Sequence, residues 1–107
     1  MRDEEVAAEF GRVVNMSPEE LERWLGTEES QSVGQKDDGG ESTGHASGRR
    51  IVELLRAKRS DLTERDYAHM NKVVGYVHRH LAQRPSGDVR ETRWRYSLMN
   101  WGHDPLK

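Results

Sequence analysis

The chain has no cysteine. That excludes disulfides, thiolate nucleophiles and cysteine-ligated metals. It has no apolar run near the ~20 residues that a membrane-spanning helix needs. No signal-peptide pattern opens it, so the expectation is a soluble cytoplasmic protein with no membrane role. Large aliphatics are scarce: Val, Leu, Ile and Phe together supply 19 of the 107 residues, below the roughly one-fifth that usually separates folded from disordered chains. The net charge is only −2, which lacks the imbalance that accompanies disorder. The two observations together describe a thin core that leans on Trp, Tyr and Met. Clean β alternation is missing as well. The expectation is an all-α fold, a compact bundle of four to five helices in a single small domain over residues 1–107.

The small net charge conceals a polarity along the chain. Residues 1–47 carry four Lys/Arg against twelve Asp/Glu, whereas residues 48–107 carry thirteen against seven and four of the five histidines. Such asymmetry points to a basic face for a polyanion, or to an acidic segment that docks on a basic one. The plainer account is a mixed surface that segregates by chance.

Helix signals are clear. Asp3 to Val14 places Val6, Phe10 and Val13 on one stripe, with acidic residues at its positive end. Ser17, Pro18 and Glu20 form a capping box before Leu21, Trp24 and Leu25, and Gly26 can end that helix. Residues 26–47 then read as a long Gly-rich loop between the second and third helices. The third helix is expected from Gly48 to Arg59, capped by Ser47 and burying Ile51, Leu54 and Leu55. Thr63 and Asp66 open a fourth that reaches Gln83, with Tyr67, Met70, Val73, Val74, Val77 and Leu81 facing inward. Asp88 and Glu91 are expected to cap a last helix reaching about Trp101. Trp94, Leu98 and Trp101 lie on its buried face, while Arg93, Arg95 and Tyr96 are left for contact.

Candidate binding groups concentrate in the basic half. On the fourth helix, Arg65, His69, Lys72, Tyr76 and Arg79 recur at spacings of four and three, which forms a seam opposite the apolar stripe. Lysine and arginine there can neutralise phosphates, and Tyr can stack on bases. The plainer account is a solvated helix face. Gly75 lies beside the seam, where it would permit close approach by another helix or by a ligand. The stretch from Gly39 to Arg50 is a glycine- and hydroxyl-rich loop entering a helix. It offers a phosphate site but no P-loop, because GKS or GKT is missing. A helix-turn-helix over Ser60–Thr63 is disfavoured: the turn has no glycine, and Glu64 and Asp66 would face the phosphates. An ordinary helical hairpin fits better.

Nothing in the pattern carries catalysis. His78 and His80 point apart, no HExxH or paired-acid motif occurs, and Asp37-Asp38-Gly39-Gly40 lacks the alternation of a calcium loop. The expectation is no enzyme, no metal, no cofactor and no small-molecule substrate. Phosphate contacts to DNA are assigned to Arg49, Arg50, Arg56, Arg59, Lys72, Arg79, Arg93 and Arg95, with Tyr76 and Tyr96 as stacking groups. The alternative is a protein-interaction module or homodimeric adaptor with no nucleic-acid role.

The blocks NMSPEELERWLGTEESQSVG, GHASGRRIVELLRAKRSDLTERDYAHMNKVVGYVHRHLAQRP and TRWRYSLMNWGHDPLK resemble a small microbial family, domain of unknown function 3140, known mainly from actinobacteria. The resemblance covers residues 6–107. It implies a DNA-binding label, which members often carry, and an ordered rather than loose 26–47 loop. It brings no catalytic or cofactor residues.

Overall fold

The computed structural model describes residues 2–33 and 42–107. Over these residues the chain is helical: α1 (Asp3–Val13), α2 (Pro18–Leu25), α3 (Glu28–Ser32), α4 (Thr43–Arg56), a 3-10 turn (Arg59–Asp61), α5 (Glu64–Leu81) and α6 (Arg93–Asn100). The expected all-α bundle is present, with more helices than the four or five expected.

Local chemistry explains most boundaries. Ser17 Oγ accepts from the Glu20 amide at 3.1 Å, and Glu20 accepts from the Ser17 amide at 3.2 Å, a complete capping box. Thr63 and Asp66 repeat it at the start of α5. Two expected starts are corrected. The helix expected from Gly48 begins at Thr43 and is capped by Ser42, whose Oγ accepts from the His45 amide at 3.0 Å. Ser42, unlike Ser47, precedes the turn whose amides need an acceptor. The last helix is capped by Thr92, not Asp88. Asp88 instead accepts from the backbone and guanidinium of Arg90. The 26–47 stretch is likewise less of a loop than expected. It contains α3 and the first turn of α4, while residues 34–41 lie outside those described.

Two helix pairs, α1 on α5 and α2 on α4, are joined by α6, which touches α2, α3, α4 and α5. Although consecutive, α4 and α5 do not form the expected hairpin. The 3-10 turn and the extended residues around it carry the chain across, and the two helices keep few close backbone contacts, joined by Ser47–His69 and Arg50–Asp66 side-chain bonds. Val6, Phe10, Leu21, Leu25, Ile51, Val73, Val77, Trp94, Leu98 and Trp101 belong to one buried cluster. The tryptophans are core, as the scarcity of aliphatics requires.

Among the described glycines, Gly48 meets its neighbours most closely. A methyl there would lie 2.6 Å from the Asn100 carbonyl oxygen and 2.7 Å from Leu25 Cδ2. Gly75, expected to serve such an approach, does not: its only near neighbour is Arg79, with a guanidinium nitrogen 3.1 Å from where a methyl would be. The C-terminal tail closes on the α1–α2 junction. Gly102, at φ +82°, turns the chain after α6. Its carbonyl accepts from Asn15 and Met16, and Asn15 exchanges side-chain bonds with the backbone of Asp104.

Alanine at the two helical glycines should therefore act in opposite directions. Gly75→Ala should raise stability by up to ~1 kcal/mol through helix propensity, because the flexible Arg79 side chain can move aside. Gly48→Ala should lower it by about 2 kcal/mol or more despite the same propensity gain, because backbone must shift. Urea denaturation of both variants measures this. Equal midpoints would show that α6 does not seat on Gly48.

Candidate anion-binding groove

Because α4 and α5 diverge, a groove opens between them, with α6 across its end. It comprises two adjoining clefts of about 330 and 360 Å³. Thr43, Gly44, Lys72, Tyr76, Arg79, Ser97, Asn100 and Trp101 line the first. Ser42, Thr43, Ala46, Ser47, Arg50, His69, Lys72 and Trp101 line the second. Among the described residues they hold three permanent cations and no carboxylate. Clefts elsewhere are mixed: the one between α2 and α4 includes Glu22 and Glu53 with Arg49 and Arg56, and the one at 88–92 includes Asp88 and Glu91 with Arg90.

Below the groove, five rings lie nearly parallel from one element to the next. His69 and Trp101 have centroids 6.3 Å apart, Trp101 and Tyr76 4.2 Å, Tyr76 and His80 5.2 Å, and His80 and Trp94 6.1 Å. Arg84 lies over the far Trp94 ring at 5.4 Å. This stack corrects the reading of α5: the seam of Arg65, His69, Lys72, Tyr76 and Arg79 is not a uniformly solvated face. Arg65, Lys72 and Arg79 are exposed, but His69 and Tyr76 are half buried against α6. An i, i+4, i+7 pattern of rings can face a neighbouring helix as easily as solvent. Burial pushes the Tyr76 phenol above its ordinary pKa, against the opposing effects of its bond to Ser97 and of the Arg79 charge.

Electrostatics mark the same place. His69, with Ser47 Oγ 3.0 Å from its Nε2, is held down at about 4, first by burial, then by Arg50 and Lys72, with Asp66 opposing. Two positive side chains from different helices therefore raise the potential at one ring. Arg50 is partly balanced by Asp66 at 3.3 Å. Lys72 and Arg79 make no ion pair among the described residues.

The other candidates are dispersed. Arg56 pairs with Glu22 at 3.0 Å, and Arg49 shares its cleft. Arg59 lies exposed on the 3-10 turn, and Arg93 exposed at the start of α6. Arg95, expected to extend a basic surface, is 22% exposed, bonded to Asp104 at 3.1 Å and to the Arg90 carbonyl at 2.9 Å. It ties α6 to the tail. Tyr96 is half buried, with its centroid 5.5 Å from that of Trp24. The groove thus gathers Arg50, Lys72, Tyr76 and Arg79 from the expected set.

Thr43, Gly44 and Ser47 form the α4 wall. They belong to the Gly39–Arg50 stretch expected to offer a phosphate site, but as part of a helix rather than of a loop. Gly44, Ser47 and Gly48 stand at i, i+3 and i+4, the spacing of a small-residue helix face. Among the described residues no group of three His, Asp or Glu side chains could hold a metal ion, and no helix is long and apolar enough to cross a membrane.

The architecture and groove define a small all-α protein with a cationic cleft. Residues 9–99 match the model of the family described as protein of unknown function (DUF3140), and the chain belongs to that family. No curated protein and no solved structure matches it.

The depressed His69 has a consequence for stability. Below its ordinary value of 6.5 the unfolded chain takes up a proton that the folded chain refuses until about 4, so stability should fall as pH drops through that window. His80, also held low by burial, acts in the same direction. Urea midpoints should decline between pH 6.5 and 5, above the main carboxylate range, and His69→Gln should flatten the decline. A flat wild-type profile would show that His69 is not held neutral.

Proposed function

We propose that the protein is a small non-enzymatic DNA-binding protein, cytoplasmic and bacterial, of nucleoid-associated or regulatory type, that contacts phosphates mainly through the α4–α5 groove. The observation that supports this most is that Arg50, Lys72 and Arg79 line adjoining clefts with no carboxylate among the described residues. Several cations elsewhere are paired, Arg56 with Glu22, Arg90 with Asp88, Arg95 with Asp104 and Lys107 with Glu20, whereas within the groove Arg50 shares Asp66 and Lys72 and Arg79 make no ion pair among the described residues. A net-negative protein can bind a polyanion when its positive charge is concentrated in one concavity. Relative to the eight arginines and lysines first assigned, the contact set narrows to these three, with Arg93 and Arg59 as exposed outliers.

The alternative, a protein-interaction module or homodimeric adaptor, draws on the acidic N-terminal third. Glu9, Glu20 and Glu22 of that third already pair within the molecule, with Arg12 and His78, with Lys107 and with Arg56. Less of its charge is left for a partner.

Three phosphate contacts predict that log K for random-sequence duplex DNA falls with log salt at a slope of about −3. Charge reversal at Lys72→Glu/Arg79→Glu should abolish binding with an unchanged helical circular dichroism spectrum. No binding by the wild type at low salt, or undiminished binding by the folded double variant, would overturn the proposal.

A further inference from the structure

The three tryptophans differ in one respect that the fold alone does not require. Trp24 Nε1–H donates to Asn100 Oδ1 at 2.8 Å, and Trp94 Nε1–H donates to the His80 carbonyl at 2.7 Å. Trp101 is only 4% exposed, and its indole N–H has no hydrogen-bond partner among the described residues, although its nitrogen, unlike His80 Nε2, is not sealed from solvent. The N–H is therefore a donor open at the cleft, where Trp24 and Trp94 have theirs occupied within the fold. A methyl on Gly44 would lie 3.2 Å from that nitrogen, which puts the N–H at the Gly44 wall of the first cleft. Trp101 lines both clefts, as does Lys72. An open donor and Lys72 thus stand at the junction of the two clefts, with Arg79 in one cleft, Arg50 in the other and no carboxylate among the described residues that line either.

The geometry points to a site for a phosphate monoester, a nucleoside monophosphate or the phosphorylated end of a nucleic-acid strand, seated where the two clefts meet, with Lys72, Arg79 and Arg50 supplying charge and Trp101 Nε1–H supplying a directed hydrogen bond. The inference rests on reading this groove as the contact surface, and it names what enters it. Each cleft is of the size that accommodates part of a small ligand. A monoester carries close to two negative charges at neutral pH, so it gains more than a diester from three clustered cations. The first cleft continues past Tyr76 and Ser97, leaving room for the group that the phosphate is attached to. The N-terminal end of the 14-residue α4 adds its dipole at Thr43 and Gly44.

The indole N–H signals in proton–nitrogen NMR of the full chain provide the test, because Trp24 and Trp94 are internal controls. Adenosine monophosphate and inorganic phosphate, added at constant ionic strength, should shift the Trp101 signal saturably and leave the other two in place. Lys72→Ala and Arg79→Ala should each weaken the effect by roughly tenfold or more, with the Trp24 and Trp94 signals confirming the fold. A 5′-phosphorylated single-stranded oligonucleotide should bind more tightly than its unphosphorylated twin. If both monophosphate probes leave Trp101 unmoved, or move it equally in Lys72→Ala, the site is refuted, even where duplex DNA binds elsewhere. If the monophosphates act and neither oligonucleotide nor duplex binds, the site stands with a free nucleotide as its ligand, and the DNA-binding proposal falls.

Discussion

The arrangement depends on the seating of α6 against α4 at Gly48. Only a residue without a side chain lets the Asn100 carbonyl come this close. Once seated, Asn100 is 1% exposed and fully engaged: its Oδ1 accepts from Trp24 and from Ser30 Oγ, and its Nδ2 donates to the Ser30 carbonyl at 3.0 Å. One side chain thereby holds α2 and α3 to the end of α6. Unmaking that network would strand several buried polar groups, each at a cost of about 1–3 kcal/mol. For a core this poor in aliphatics that is a large share of total stability. The same seating sets the register of Trp94, Leu98 and Trp101, and so of the ring stack along α5.

The groove follows from this seating rather than from any direct pairing of α4 and α5. Each of those helices has its own partner, α2 and α1, and α6 spans the gap between them. Trp101 and the small residues Gly44 and Ser47 leave the gap shallow and open, and the polar edge of α5 fills its rim. Charge is sorted by the same geometry. The acidic N-terminal helices lie against the far sides of the basic ones, where Glu22 meets Arg56 and Glu9 meets His78. The α4–α5 side, with no other acidic helix against it among the described residues, leaves Lys72 and Arg79 unpaired there, and Asp66 of α5 shares only Arg50. A charge asymmetry that runs along the sequence thus becomes, in three dimensions, a concavity with an excess of positive charge among the described residues.

What was legible in the sequence was whatever is decided locally. Capping boxes at Ser17 and Thr63, the apolar stripes and the burial of the terminal tryptophans all depend on residues within a turn or two of each other. Decisions made across the chain were not legible. Ser47 resembled a cap, but His69 from α5 takes its hydroxyl. Arg95 looked free, but Asp104 folds back to meet it. Tyr76 looked like a stacking platform for a base, yet Trp101 already stacks on it. Two of the assigned cations, Lys72 and Arg79, reached the groove unpaired because helical spacing placed them on the rim beside the buried rings. Gly48 and Gly75 show the limit most plainly. Both break helix propensity, and only the neighbour that approaches tells which break is required.

The C-terminal stretch from Thr92 to Lys107 posed a choice between core and contact, and Trp101 shows that the choice was too coarse. Its ring is enclosed between His69 and Tyr76 and serves the core, whereas its one polar atom is left without the partner that Trp24 and Trp94 each possess. Arg95, the residue that looked built for contact, is spent on the fold. Packing alone makes no use of the Trp101 N–H, which stands open at the cleft. A donor at the wall of a cationic cleft, with no carboxylate among its described lining residues, is matched to an acceptor that comes from outside the chain, and phosphate oxygen is the acceptor that the surrounding charge favours.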